Sequence, residues 1–472
     1  MLSLPAVAHA VAGEAAPEPP WPVTVESYPL VEPGKTGALG DFKLAQQAGE
    51  SAVAKGRAQG ARLVVAQARA TEGRALERLG KLDEAVAAFQ EAEGLFTAAG
   101  DKGGAAAALN SHGIVLYDRG DFEGAKKMLA DALAVFRELG AEQRVSSALN
   151  NLGNVNYDQG DLPQARKYYE QGLAICRRVE DKGCVAGALG NLANVLDSMG
   201  DLKGALTMQQ LGLAAFREVK DNRGVGSTLG NFGNLLAEMG DLAGAEAKYQ
   251  EAMGIQNANG YQRGVAYSYY GLSDVRTAQG RLGEAREYAE KAAAIRRESK
   301  EQATLAGSQV QLSFILLQEG KAAEAEPLAK AGAEEFDREK SSDQGASAYG
   351  ILATIQAAEN KVTEAQQSAK RAMSLAQQTA YKPPKFDAML GSARAQAAAG
   401  DTAGALRTLE SVRSEAVKYG YVPYDFEARL AMGLIEMKAG RTAAGRARLM
   451  QLEKESRAKG YLRVAEAAKK AA

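Results

Sequence analysis

Large apolar side chains recur along this chain at an interval of forty residues. Leu152, Leu192, Phe232, Leu272, Leu312 and Leu352 form one register, and Val115, Val155, Val195, Leu235, Val275 and Ile315 form another three residues on. That spacing puts both registers on one face of a helix. A series of small residues runs between them. Glycine stands at 40, 80, 120, 160, 200, 240, 280, 320, 400 and 440, and Asn360 fills the gap. Glycine and asparagine are the residues that tolerate the left-handed backbone of a helix end.

Five residues after these turns come Ala45, Ala85, Ala125, Ala165, Ala205, Ala245, Ala285, Ala325, Ala365, Ala405 and Gly445. Seven residues before each turn from Gly80 onward come Gly73, Gly113, Gly153, Ala193, Gly233, Ser273, Ser313, Ala353, Ala393 and Gly433. Two helices joined by a tight turn approach closely only where both lack bulk. The pattern therefore predicts one helical hairpin per period, with helix A of about fifteen residues before the turn and helix B of about eighteen after it. Asp121, Asp161, Asp201, Asp241 and Asp401 directly follow the turn and are placed to cap helix B. Ten hairpins follow from the turns at Gly80 through Gly440. Gly40, Asp41, Phe42 and Ala45 open a further helix B, whose helix A is forbidden by Pro29 and Pro33. The expected fold is all-α, a right-handed superhelical solenoid of antiparallel helix pairs over residues 37–472.

Leu152, Gly153, Tyr157, Ala165 and Tyr169 match in spacing the consensus of the tetratricopeptide repeat, and the chain resembles that family over residues 41–459. The repeat ordinarily spans about 34 residues and ends in Pro. Here it is longer, and Arg177 stands where the Pro would be. In this it is similar to the forty-residue repeats of LGN/Pins-type scaffolds, in a bacterial form. The closing stretch LMQLEKESRAKGYLRVAEAAKKAA also resembles the ends of arrays appended to bacterial receptor-type kinases and transcription regulators. A sensor or regulatory tail of such a protein is therefore the alternative to a free-standing scaffold.

The resemblance implies that helix A lines a concave groove, with the positions nine and six residues before each turn pointing into it. The first position holds Asn151, Asn191 and Asn231, and the second Asn154, Asn194, Asn234 and Asp274. Asn110 and Asn150 sit one place earlier than the nine-before position. A carboxamide both donates and accepts, so it grips a peptide bond whatever side chain that peptide carries. Each such bond adds about 0.5–1.5 kcal/mol net. Three rungs about 10 Å apart would hold roughly six residues of extended peptide at about 3.3 Å each. The same asparagines can instead bond neighbouring helices and fix their register, and the two roles are compatible. Where the family's carboxylate clamp would place Lys, this chain has Ala107, Ser147, Gly187 and Ser227, so no preference for a free C-terminal carboxylate is expected.

Composition narrows the function further. Lys plus Arg number 57 against 58 Asp plus Glu. Without a basic surplus, binding to nucleic acid or to an anionic membrane loses its main driving force. No apolar run after residue 36 approaches the roughly 18 residues of a membrane span. Cys176 takes the position of Phe96, Phe136 and Phe216 and reads as a small buried apolar residue, while Cys184, eight residues on, leaves a local disulfide open. His9 and His112 are the two histidines, and His112 occupies the slot of Leu152 and Leu192, which makes it a core variant. No metal cluster, nucleophile triad or phosphate-binding loop appears, so neither cofactor nor catalysis is expected.

Residues 1–36, with MLSLPAVAHA and EAAPEPPWPV, suit either a truncated export signal or an Ala/Pro-rich leader, which leaves cytoplasm and periplasm both open. Met199 and Met239 read as core filler. Tyr261, Tyr381, Tyr421 and Tyr461 replace Asp101, Asp181 and Asp221 between hairpins and are expected to staple neighbours, with a second contact surface on the convex edge as the other reading. Arg446, Arg448, Lys454, Arg457, Lys459, Arg463, Lys469 and Lys470 read as a solvating end cap, though stacking of open ends would allow self-association. The expected partner is a protein or an extended peptide.

Overall fold

The computed structural model describes residues 38–472 apart from 59, so the leader lies outside the described residues. These residues form α-helices joined by three-residue turns, except at 377–381 and 420–421, in two compact parts that divide after Arg119. The first part contains α1 (Ala38–Ala58), α2 (Arg62–Arg78), α3 (Leu82–Ala98) and α4 (Lys102–Asp118). The second begins with α5 (Phe122–Glu138), α6 (Glu142–Asp158), α7 (Leu162–Arg178), α8 (Lys182–Ser198), α9 (Leu202–Glu218) and α10 (Asn222–Glu238). It continues through α11 (Leu242–Ala258), α12 (Gln262–Ala278), α13 (Leu282–Glu298), α14 (Gln302–Gln318), α15 (Ala322–Arg338) and α16 (Ser342–Ala358). It ends with α17 (Val362–Ala376), α18 (Lys382–Ala398), α19 (Thr402–Tyr419), α20 (Val422–Lys438), α21 (Thr442–Ala458) and α22 (Leu462–Ala471). Even-numbered helices are the predicted A helices and odd-numbered ones the B helices.

Gly40 lies within α1 rather than in a turn, because that helix already begins at Ala38. The two arms of a hairpin are also equal, at 17 residues each in α6 and α7, not fifteen and eighteen. The reason is that the connection between hairpins has the same geometry as the turn inside them. Gly100, Gly140, Gly260, Gly420 and Gly460 take positive φ between hairpins, and so do Glu180, Lys220, Lys300 and Lys340. In both kinds of turn the N–H beyond the left-handed residue bonds back across it, as in Asp161 N to Asn156 O and Asp181 N to Cys176 O. The glycine series and Asn360, at φ 61°, follow the expectation. So do the caps: Asp121, Asp161, Asp201, Asp241 and Asp401 each accept from a backbone N–H three residues on, at 2.8–3.2 Å.

Small residues meet large ones where A and B cross. A Cβ added to Gly153 would lie 2.4 Å from Tyr169, and one on Gly233 would lie 2.6 Å from Tyr249. Where the A helix carries Ser273 or Ala353 instead of Gly, the facing B-helix residue shrinks to Ala289 or Ala369, and all four are buried. Volume is thus conserved at each crossing, as close packing demands. His112 is buried, as its register implied, and burial followed by the field of Arg119 lowers its pKa. Cys176 is buried and is joined to Cys184 as a disulfide with Cα atoms 5.5 Å apart. Met199 is exposed rather than core filler, and no described helix is long and apolar enough to cross a membrane.

The second part is a right-handed superhelix in which neighbouring A helices touch: α8 with α10, α10 with α12, α14 with α16, α18 with α20 and α20 with α22. In a curved stack that contact marks the inner side. The coil then meets itself. Gly200 lies against Tyr419, Gly240 against Val422 and Gly280 against Arg463. Tyr421 is fully buried in a cluster with Leu196, Leu202, Phe386, Leu409 and Met432. Its hydroxyl donates to Asp197 O at 3.1 Å, and Tyr461 donates to Ala237 O at 3.2 Å. Tyr421 and Tyr461 therefore staple successive turns of the superhelix as well as the preceding hairpin, through Phe386 and Phe426. Tyr261, stacked under Arg223 at 4.7 Å, also joins neighbours. Arg463 is likewise no solvating cap: it pairs with Glu427, bonds Gln318 at 3.0 Å and lies over the Phe314 ring.

Candidate functional site on the inner face

Eight of the nine predicted binding residues stand on the A helices of the second part. Asn150, Asn151 and Asn154 are on α6, Asn191 and Asn194 on α8, Asn231 and Asn234 on α10, and Asp274 on α12. Asn110 stands half-buried on α4 of the first part. The seven asparagines are half-buried and Asp274 is exposed. Helical spacing of three and four residues holds each set on one stripe.

Most of these amides are partly spent on the scaffold. Asn191 Nδ2 donates to Asn150 Oδ1 at 2.6 Å, which ties α8 to α6. Tyr169 donates to Asn154 Oδ1 at 2.7 Å and Tyr249 to Asn234 Oδ1 at 2.5 Å, both within one hairpin. Asn234 also donates to the Tyr267 hydroxyl, which in turn donates to Asn231 Oδ1 at 3.3 Å and links α10 to α12. Gln311 Nε2 donates to Asp274 Oδ1 at 2.7 Å and to Tyr270 O at 2.9 Å. The register-fixing role is therefore real. Asn194 departs from it: in its hairpin Gln209 replaces the tyrosine, and its carboxamide makes no hydrogen bond among the described residues.

Charged groups that the amide pattern did not signal share this inner surface. Asp197 on α8 and Glu238 on α10 face each other at the seam between turns, and Tyr381 donates to Glu238 Oε1 at 2.8 Å. Burial raises both carboxyls above their usual range, and for Glu238 the field of Asp197 adds to it. Surrounding protein pushes Asp274 up to about 6, against the Gln311 hydrogen bond and the field of Arg296. Asp387 on α18 is pushed to about 6 by burial, while Ser347 and Tyr424 donate to it. Arg394 pairs with Glu427 at 3.3 Å. The signal that would have found Arg394 is the six-before register itself, continued past Asp274 and Phe314 to Thr354, Arg394 and Leu434.

An array of helical hairpins whose A helices present polar groups to the inside of a coil is a repeat scaffold built for binding. The tetratricopeptide repeat family profile matches residues 64–138, 104–178 and 144–218, and the MalT-like TPR region matches residues 182–342. The chain belongs to the tetratricopeptide repeat family and is a protein-binding repeat scaffold. No curated protein sequence matches it. Among solved structures it is similar to aspartyl phosphate phosphatase F from Bacillus subtilis, at 13% identity and a TM-score of 0.54, over 72% of this chain and 93% of that one. A Rap protein complexed with competence and sporulation factor shares 17% identity over 69% of this chain and 98% of that one, with a TM-score of 0.46. A STAND protein with a tetratricopeptide repeat sensor from Pyrococcus horikoshii shares 16% over 73% and 53%, with a TM-score of 0.47. At these identities the likeness is one of fold.

Proposed function

We propose that the inner face of the second part holds an extended peptide segment of a partner protein and does no covalent chemistry. Asn150, Asn151, Asn154, Asn191, Asn194, Asn231 and Asn234 grip the peptide backbone, Asp274 continues the row, and Asn110 offers the same group on α4. The observation that carries this reading is Asn194, whose carboxamide is unspent between the bonded amides of α6 and α10. A mid-helix asparagine disfavours the helix, and no hydrogen bond among the described residues offsets that at this position. Gly187 and Gly190 on the same helix, with open space over each, let a peptide backbone come close.

The test compares the native chain with Asn194→Ala, and with Asn151→Ala, Asn191→Ala and Asn231→Ala combined, on an array of overlapping synthetic hexapeptides. Asn194→Ala should raise the melting temperature slightly, since Ala is the better helix former, and weaken every bound peptide by about threefold to tenfold. The triple change should abolish binding. Binding that survives the triple change in a folded protein would reduce the asparagines to register pins.

A further inference from the structure

Asp274 breaks the amide row with a charge. Its carboxylate is exposed on the inner face, yet its hydrogen bond comes from a neutral donor, Gln311. Gln311 is itself 5% exposed, and its Oε1 is buried without a partner. The cations whose fields reach this region are committed elsewhere. Arg296 donates to Thr304 O at 3.0 Å and to Ser308 Oγ at 2.6 Å, and its guanidinium stacks on Tyr270. Arg394 is held by Glu427. Asp387 has Ser347 and Tyr424 as donors and does not share the shortage.

The place is thus rich in acceptors and short of donors. Tyr270 stands four residues before Asp274 on the same helical stripe, and Phe314 holds the equivalent six-before position on α14. An exposed carboxylate on the stripe of Tyr270 and in the register of Phe314, whose rings already carry Arg296 and Arg463, with the unpaired Gln311 Oε1 next to it, suits an ammonium or guanidinium group, which brings several N–H donors and a charge.

We propose that Asp274, with Gln311, Tyr270 and Phe314, forms a subsite for a lysine or arginine side chain of the bound peptide. The subsite rests on the peptide-binding reading above and gives it a polarity. The segment lying on α6, α8 and α10 is read through its backbone, and the residue reaching α12 is read through its charge. A partner segment with a basic residue at one end of a roughly six-residue epitope is the class of ligand this selects.

The test pans a phage-displayed random dodecapeptide library on the full chain and repeats the panning on Asp274→Asn. Asparagine is the residue the preceding hairpins carry at this position, and it still accepts from Gln311, so the variant should fold as the native chain does. Native-chain binders should carry Lys or Arg at one fixed position. A synthetic binder should lose about tenfold in affinity on Asp274→Asn, and as much when its own basic residue becomes norleucine. The two changes together should cost little more than either alone. Asp274→Lys should turn the preference at that position to Asp or Glu. Binders with no fixed basic residue, equally tight on Asp274→Asn, would overturn the subsite and leave the peptide reading standing. Failure to enrich any peptide over the triple asparagine variant would overturn both.

Discussion

Tyr421 and Asp197 are 224 residues apart and share a hydrogen bond, and Tyr461 and Ala237 repeat it at the same separation. The recurrence shows that the coil closes at a constant pitch of about five and a half hairpins. Each tyrosine sits at the N-cap of an A helix, where Asp101, Asp181 and Asp221 cap earlier ones. An aspartate cap contributes about 1 kcal/mol. These helices forgo it, and burial of a ring between turns offsets the loss.

The seam should therefore loosen without unfolding the hairpins. Tyr421→Phe removes one hydrogen bond at about 1 kcal/mol, while Tyr421→Ala also empties a fully buried site at about 3–5 kcal/mol. In Tyr421→Ala, amide exchange should speed up around Leu196–Ala205 and Phe386–Met432, and helicity by circular dichroism should hold. Exchange that rises evenly over Gly120–Ala472 would mean that the turns are not separable from the stack.

The left-handed positions give a second prediction. Lys300 holds φ 56° and Lys340 φ 54° in the same turn that Gly260 and Gly460 adopt without a side chain. A non-glycine residue there carries about 1 kcal/mol of strain, partly offset by the extra freedom glycine has when unfolded. Lys300→Gly and Lys340→Gly should each raise stability by a few tenths to about 1 kcal/mol, read from urea unfolding. A loss in both would show that these lysines hold their turns through side-chain contacts.

Crossing points give a third. Gly153→Ala would set a Cβ 2.4 Å from the Tyr169 ring, and overpacking of this kind costs about 1–3 kcal/mol. The neighbouring hairpin pairs Ala193 with Gln209 at the same place. Combining Gly153→Ala with Tyr169→Gln should therefore cost less than the two single changes summed, a coupling of about 1 kcal/mol or more in a double-mutant cycle. Strict additivity would mean that the two positions are not in register.

Local rules were legible in the chain, and long-range closure was not. The turn glycines, Asn360, the aspartate caps and the Gly153 and Ala165 crossings each depend on residues within one hairpin, where sequence spacing and spatial distance agree. The hairpin connections were half hidden, because Lys220 or Lys300 in a left-handed turn looks like any helix residue. The bond from Tyr421 to Asp197 depends on the small rotation added by each hairpin, and no single repeat encodes that sum. Arg463 misled for the same reason: on its own helix it is one of a basic group, and only the returning coil puts Glu427, Gln318 and Phe314 around it. The asparagines stand on the A helices as the spacing predicts, but how each amide is spent depends on whether the B helix supplies a tyrosine, as with Tyr169 and Tyr249, or Gln209.

The inner carboxyls set the response to pH. Burial raises Asp197 and Glu238 and pushes Asp387 up to about 6, and the protein around Asp274 pushes it up to about 6 as well. Their values in the unfolded chain lie near 4. Each group therefore holds its proton more tightly when folded, so its contribution is fully present below about pH 4 and is lost as pH rises through its folded value, about 6 for Asp197, Asp274 and Asp387. Carboxylates such as Glu326 and Glu455, lowered by Lys361 and Arg429, act in the opposite sense, but their change is complete before pH 5. His112, lowered by burial, opposes the inner groups between about pH 5.5 and 6.5, but it is one group against four, so the inner carboxyls should dominate and the melting temperature should fall from about pH 5.5 to 8. Glu238→Gln keeps an acceptor for Tyr381, whose hydroxyl faces it, and removes the like charge opposite Asp197. It should raise the melting temperature at pH 8, leave it nearly unchanged at pH 5 and flatten the slope between. A native melting temperature that rises across this interval, or a slope untouched by Glu238→Gln, would show that the seam stays hydrated enough to carry both charges.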